Sequence, residues 1–553
     1  MTSPTPSPTA LPTLPALVTV LVFSLVITVI GPPPWQPWAQ FVAAGLIACA
    51  FTLRRQGRPL VARRARPRRT AVDVVDLTGP DLSLVGCVEG GRVVTTAVEI
   101  TAGSLVTTEV GRDDPAGFHG VRLPLAAVAR QLDQGGVMLE GIDVVVHGRR
   151  AATGADGEVY SSLVGPLALI SHRRVHVFLR FDLGRLATAA PPDTVGSFDH
   201  IVAVATERLR RSLVHHGVPC RVLDAAELAE RYLEAEAEAA PGVGMVIRPG
   251  ADARKVIDGL AAVRASDITE VIRIRRVEGR HDVVDVVATV GLVGLSAGSP
   301  AEMPTACDPL PSAQVLPIPG QSLPDAVAGS VIRRRIDQLD ALAPPAHGAG
   351  QILGATRTGS ASALQLAGPH LRSVLLAGRP ALCRQVAFRA VAAGYRVAVV
   401  TDLPDRWRPL SRIGDESRFR IVEPGASDAG APVDAVFWDV DGPLSEGRID
   451  ALAGPGGPDV TPPTVIRVDA DWGIDHRADS DAAGAIARSS VAPPDLVLDA
   501  RIEGWISVEP RAGDAHRVTV VHGPGEEGFV GPLVAPEDLT PAGAAPPATP
   551  GRR

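Results

Sequence analysis

Residues 11–30, LPTLPALVTVLVFSLVITVI, carry no charged side chain and are about as long as a helix needs to be to cross a hydrocarbon core of ~30 Å. A second apolar run, 39–53, reaches that length when Trp35, Gln36 and Trp38 sit at the interface, so spans are expected at 11–30 and 35–53. Between them GPPPWQPW cannot continue a helix, because its prolines lack the amide hydrogen, and its tryptophans suit the headgroup level. The pattern predicts a helical hairpin in the membrane, preceded by a disordered stretch at 1–10.

Beyond residue 70 the periodicity changes. AVDVVDL, RVVTTAVEI, GIDVVVHG and RVHVFLRFDL have the spacing and β-branched content of strands, with LPLAAVARQLDQGG between the second and third at helical spacing. Helices follow at about Phe198 to His216 and from Asp224, where Glu227 three residues on makes a capping box. EVIRIRRVEG and DVVDVVATVGLVG add a strand pair, which completes an α/β domain over 71–295. Residues 296–350 are rich in Pro, Ala, Gly and Ser and read as a linker, with one docking helix in LPDAVAGSVIRRRIDQLDALA. Then RSVLLAG, RPALCRQVAFRAVAAGY and RVAVVTD form a strand, helix, strand unit. The strands DAVFWDV, TVIRVDAD and PDLVLDAR extend it into a small parallel sheet, making a second, Rossmann-like α/β region over 351–525. The tail, 526–553, is low in apolar content and expected to be disordered.

Charge sharpens this picture at one place. Eight arginines lie within residues 54–69 of a chain whose net charge is −7. Without them 46 basic residues face 61 acidic ones, which argues against nucleic acid as a main partner. Next to an apolar hairpin the run at 54–70 is a juxtamembrane collar: it places the hairpin's ends and the C-terminal bulk in the cytoplasm and attracts anionic lipid head groups. A signal peptide is excluded by the lack of any Lys or Arg before Arg54. The five cysteines, Cys49, Cys87, Cys220, Cys307 and Cys383, are odd in number and far apart, as expected of reduced thiols rather than of a disulfide framework or zinc site.

Three features together resemble the EccE family of actinobacterial type VII secretion systems. They are the hairpin with its arginine collar, the segment FHGVRLPLAAVARQLDQGGVMLEGIDVVVHG followed by YSSLVGPLALISHRRVHVFLRFDL, and GAGQILGATRTGSASALQLAGPHLRSVLLAGRPALCRQVAFRAVAAGYRVAVVTDLPDRW. The resemblance implies an inner-membrane subunit beside EccB, the ATPase EccC and the multispanning EccD. It also implies a cytosolic fold similar to glycosyltransferases, no established activity and no cofactor, and so a structural role in assembly or stability of the translocon and in protein export.

The alternative is a membrane-tethered enzyme using a nucleotide sugar, and the residues supply candidates for it. Asp439 and Asp441 in DAVFWDVDGPL match the opening of a phosphatase motif, but that chemistry needs a downstream lysine and the single lysine, Lys255, lies upstream. The same pair, or Asp469 and Asp471 in VDADW, could form a D-x-D that holds a diphosphate through a divalent metal, although aspartates are also common where strands enter turns. LAGRPALC places Gly378 and Arg379 at a strand-to-helix turn suited to an anion, yet no G-K-[ST] ending appears. His172 and His176 share a strand face, and His215 and His216 close a helix, where a capping role is expected. No catalytic, cofactor-binding or metal-ligating residue is assigned.

Overall fold

The computed structural model describes residues 54–55 and 58–59 and most of 74–531. It passes over 102–106, 112–120, 190–197, 239–242, 296–305, 311–329, 426–431, 441–451, 453–462, 471–492 and several shorter gaps. The expected spans 11–30 and 35–53 and most of the arginine collar lie outside the described residues. Among the described residues no helix is long and apolar enough to cross a membrane. The chain divides into two compact units, Met1–Val72 and Asp73–Arg553. Of the first, the described part is a ladder within the collar, Arg54–Arg55 antiparallel to Arg58–Pro59.

Two eleven-stranded sheets organise the second unit. Every described pairing in the first is antiparallel, and its long central strands are Arg280–Val293, Asp267–Val277, Gly141–Arg149, His172–Asp182 and Val93–Ile100. Alternation along these strands sends Ile142, Val144, Val175, Val177, Leu179, Ile272, Ile274, Val284 and Val286 to one face. Helices Leu125–Arg130, Phe198–His215 and Ala253–Leu260 cover that face with Leu125, Val202, Leu209 and Ile257. The opposite face is lined by Asp143, His176, Arg180 and Arg273, and these are buried as well.

Helix Ala225–Glu238 begins as its capping box requires. Asp224 Oδ1 accepts from the Glu227 amide at 2.8 Å, and Glu227 Oε2 accepts from the Asp224 amide at 3.2 Å. Asp224→Ala is expected to lower stability by ~1 kcal/mol, seen as a shifted urea midpoint with unchanged slope.

The second sheet is mixed. Phe419–Val422, Val397–Thr401, Ala435–Asp439, Thr464–Ala470, Ser373–Gly378 and Leu496–Ala500 run parallel in that spatial order. They are short apolar runs, as strands buried on both faces must be. Antiparallel strands Trp505–Pro510, His516–Val520, Gln351–Ala355, Ala361–Leu364 and Thr107–Val110 extend the sheet. Helix Pro380–Ala392 packs on it with a proline in its first turn, where the missing amide hydrogen costs nothing.

Two expectations change. Of the docking helix expected in LPDAVAGSVIRRRIDQLDALA, residues 323–329 lie outside the described residues, and the rest is strand Ile332–Arg335 followed by a 3-10 turn, Ile336–Leu342. The strand completes a ladder on residues 283–286, with Arg333 forked onto Asp285, and the turn buries Leu339 and Leu342 while Asp340 Oδ1 accepts from the Ala126 amide at 2.9 Å. Between strands Gly141–Arg149 and His172–Asp182 the chain forms helix Ala155–Val164, where the sequence pattern predicts no element. The tail begins later than 526, because Glu526 is buried and helix Glu527–Val530 follows it, while 532–553 lie outside the described residues.

Candidate functional site

Open parallel sheets bind ligands beyond the carboxyl ends of neighbouring strands whose onward connections leave in opposite directions. Here those neighbours are Val397–Thr401, which continues outward to Phe419–Val422, and Ala435–Asp439, which continues inward to Thr464–Ala470. Asp439, the aspartate that ends the strand in DAVFWDVDGPL, therefore stands where a ligand would be sought.

That position is filled by the chain itself. Trp407, in the turn after Val397–Thr401, is 0% exposed and donates its indole N–H to Asp439 Oδ2 at 2.7 Å. Thr401 Oγ1 donates to the same oxygen at 3.1 Å and accepts from the Leu403 amide at 3.0 Å. Arg406 lies 3.7 Å from Asp439 Oδ1, and the indole packs edge-on against Phe437. A cation at Oδ2 would have to displace two donors, one of them an indole that can only donate. Asp441 and Asp471 lie outside the described residues, and Asp469 is half-buried on the strand Thr464–Ala470.

The turn at Gly378 and Arg379 is equally tight. Gly378 has φ 156°, and a Cβ there would sit 2.9 Å from the Ala500 carbonyl carbon and oxygen. Pro380 opens the helix without an amide hydrogen, which removes one donor that an anion would use.

His172 and His176 lie on one strand, as the spacing requires, but their neighbours differ. His172 packs edge-on against Tyr395, and burial lowers its pKa to about 3. His176 Nε2 lies 3.5 Å from Glu99, and burial lowers its pKa too, so the ring is neutral at pH 7. Arg221 donates to Glu99 Oε2 from Nε at 2.9 Å and Nη2 at 2.6 Å, and it also pairs with Glu227. Burial works to raise the Glu99 pKa, but His176 and Arg221 outweigh it and hold the carboxylate well below its usual range. With His176 neutral, Arg221 is the lasting support. His216 Nδ1 donates to the Ser212 carbonyl at 2.8 Å and so closes the helix, the role expected from its position.

Asp267 on the same sheet face makes the ion pairing testable. Burial works to raise its pKa, whereas His147 and Arg149 together lower it to about 2. Arg149 Nε donates at 2.8 Å while His147 Nε2 stands 3.6 Å away, so Arg149 carries the effect. A depressed carboxylate stabilises the fold above its unfolded pKa, and that contribution fades as pH falls through the folded one. About 2 kcal/mol is expected to be lost between pH 4 and pH 2, and urea midpoints of Asp267→Asn are expected to lack that part of the slope.

Among the described residues no group of three or more His, Cys, Asp or Glu is placed to hold a metal ion. Cys87, Cys220, Cys307 and Cys383 are free thiols. Burial pushes Cys87 and Cys220 up to about 12 and Cys307 to about 11, so none is a reactive thiolate at neutral pH. Sequence spacing had no means of finding Trp407, Thr401 or Arg406, which meet Asp439 only through the fold.

Comparison with known proteins is consistent with these surroundings. Residues 169–256 match the model of the EccE family, described as a type VII ESX secretion system translocon. Over 143 residues the chain is 32% identical to the ESX-5 secretion system protein EccE5 of Mycobacterium marinum (strain ATCC BAA-535 / M). That similarity covers 23% of this chain and 35% of the relative, so the chain spans about a third of the curated relative it matches. The family segment contains the strand bearing His172 and His176 and the helices Phe198–His215 and Ala225–Glu238.

Proposed function

We propose that this chain is an EccE-type component of a type VII secretion system and acts as a non-catalytic, membrane-anchored structural subunit of the translocon. The hairpin expected at 11–30 and 35–53 anchors it in the inner membrane with both termini in the cytoplasm. The collar at 54–70 sits against anionic head groups, and the two-sheet body packs on EccB-, EccC- and EccD-like subunits. The observation that carries the non-catalytic part is Trp407, fully buried over Asp439 where an α/β sheet would otherwise admit a nucleotide. A scaffold needs a rigid body rather than an open cleft, and a filled switch point meets that need.

Mild detergent extraction from a cell that carries the whole system is expected to recover the chain in a large assembly with the secretion ATPase. Recovery as a free monomer would count against the proposal. Calorimetry of the full chain with UDP- or GDP-sugars and manganese is expected to give no heat of binding. Binding that Asp439→Asn abolishes would return the transferase reading. Glutamine in place of the collar arginines is expected to loosen or invert the topology in a reporter fusion, and unchanged topology would remove the collar from the proposal.

A further inference from the structure

We draw no further inference here: the strongest candidate, the face of the parallel sheet where Asp469 and Asp499 flank Ala377 on the side away from helix Pro380–Ala392, carries nothing because nothing in the structure shows what covers it.

Discussion

Glu526→Leu is expected to destabilise the chain by about 3–5 kcal/mol. Arg389 is 2% exposed and Glu526 0%. They meet in a fork, Nε to Oε1 at 2.7 Å and Nη2 to Oε2 at 2.9 Å. Gln385 Nε2 and the Gly523 amide each donate to Oε2 at 2.8 Å, and Arg389 also donates to the carbonyls of Ile352, Leu353 and Val521. Removing the carboxylate strands a guanidinium and an amide hydrogen in the core of the second sheet. The companion double variant, Arg389→Met with Glu526→Leu, leaves no buried charge and is expected to regain most of the loss, because a buried ion pair is worth little against a well-packed apolar one. The check is the urea midpoint at fixed pH. A single variant within ~1 kcal/mol of the parent would mean that water reaches Arg389.

Trp407→Ala is expected to cost about 3–5 kcal/mol through the cavity it leaves. Trp407→Phe is expected to cost less, ~1–3 kcal/mol, since it keeps most of the volume and loses mainly the indole donor to Asp439. The contrast separates packing from hydrogen bonding at the switch point. Equal losses in the two variants would assign the whole effect to the buried carboxylate. Near-ultraviolet circular dichroism, read beside the denaturation midpoint, reports whether the packing around Phe437 and Asp439 persists once the indole is gone.

Much of the second sheet was legible because its parallel strands are short uninterrupted apolar runs, and the pair Asp224 and Glu227 marked a helix start by itself. The first sheet was half legible. Its apolar face follows alternation, but Asp143, Arg180 and Arg273 alternate like a wet surface and are buried, which only tertiary packing decides. The candidate site was the least legible part. Asp439 announced itself at a strand end, whereas the residue that defines its role, Trp407, sits 32 positions earlier in a turn with no signature. The same holds for Glu526, whose partner is 137 positions away and whose glycine-rich setting reads as tail. Boundaries drawn from composition also miss that Val110, Tyr160 and Val164 belong to the core of the second sheet, although they precede it by some two hundred residues.

Thr107–Val110 gives that last point a dimension in time. The strand hydrogen-bonds to Ala361–Leu364, so at the ribosome it emerges about 250 residues before its partner exists. At about 5–20 residues per second this is a delay of tens of seconds, during which a two-threonine edge and the helix Ala155–Val164 have nothing to pack on. The hairpin expected at the N-terminus would already have entered the membrane by then. The nascent chain would therefore be tethered at a bilayer with half of a seam exposed, a state suited to early capture by chaperones and poorly suited to release as separate halves.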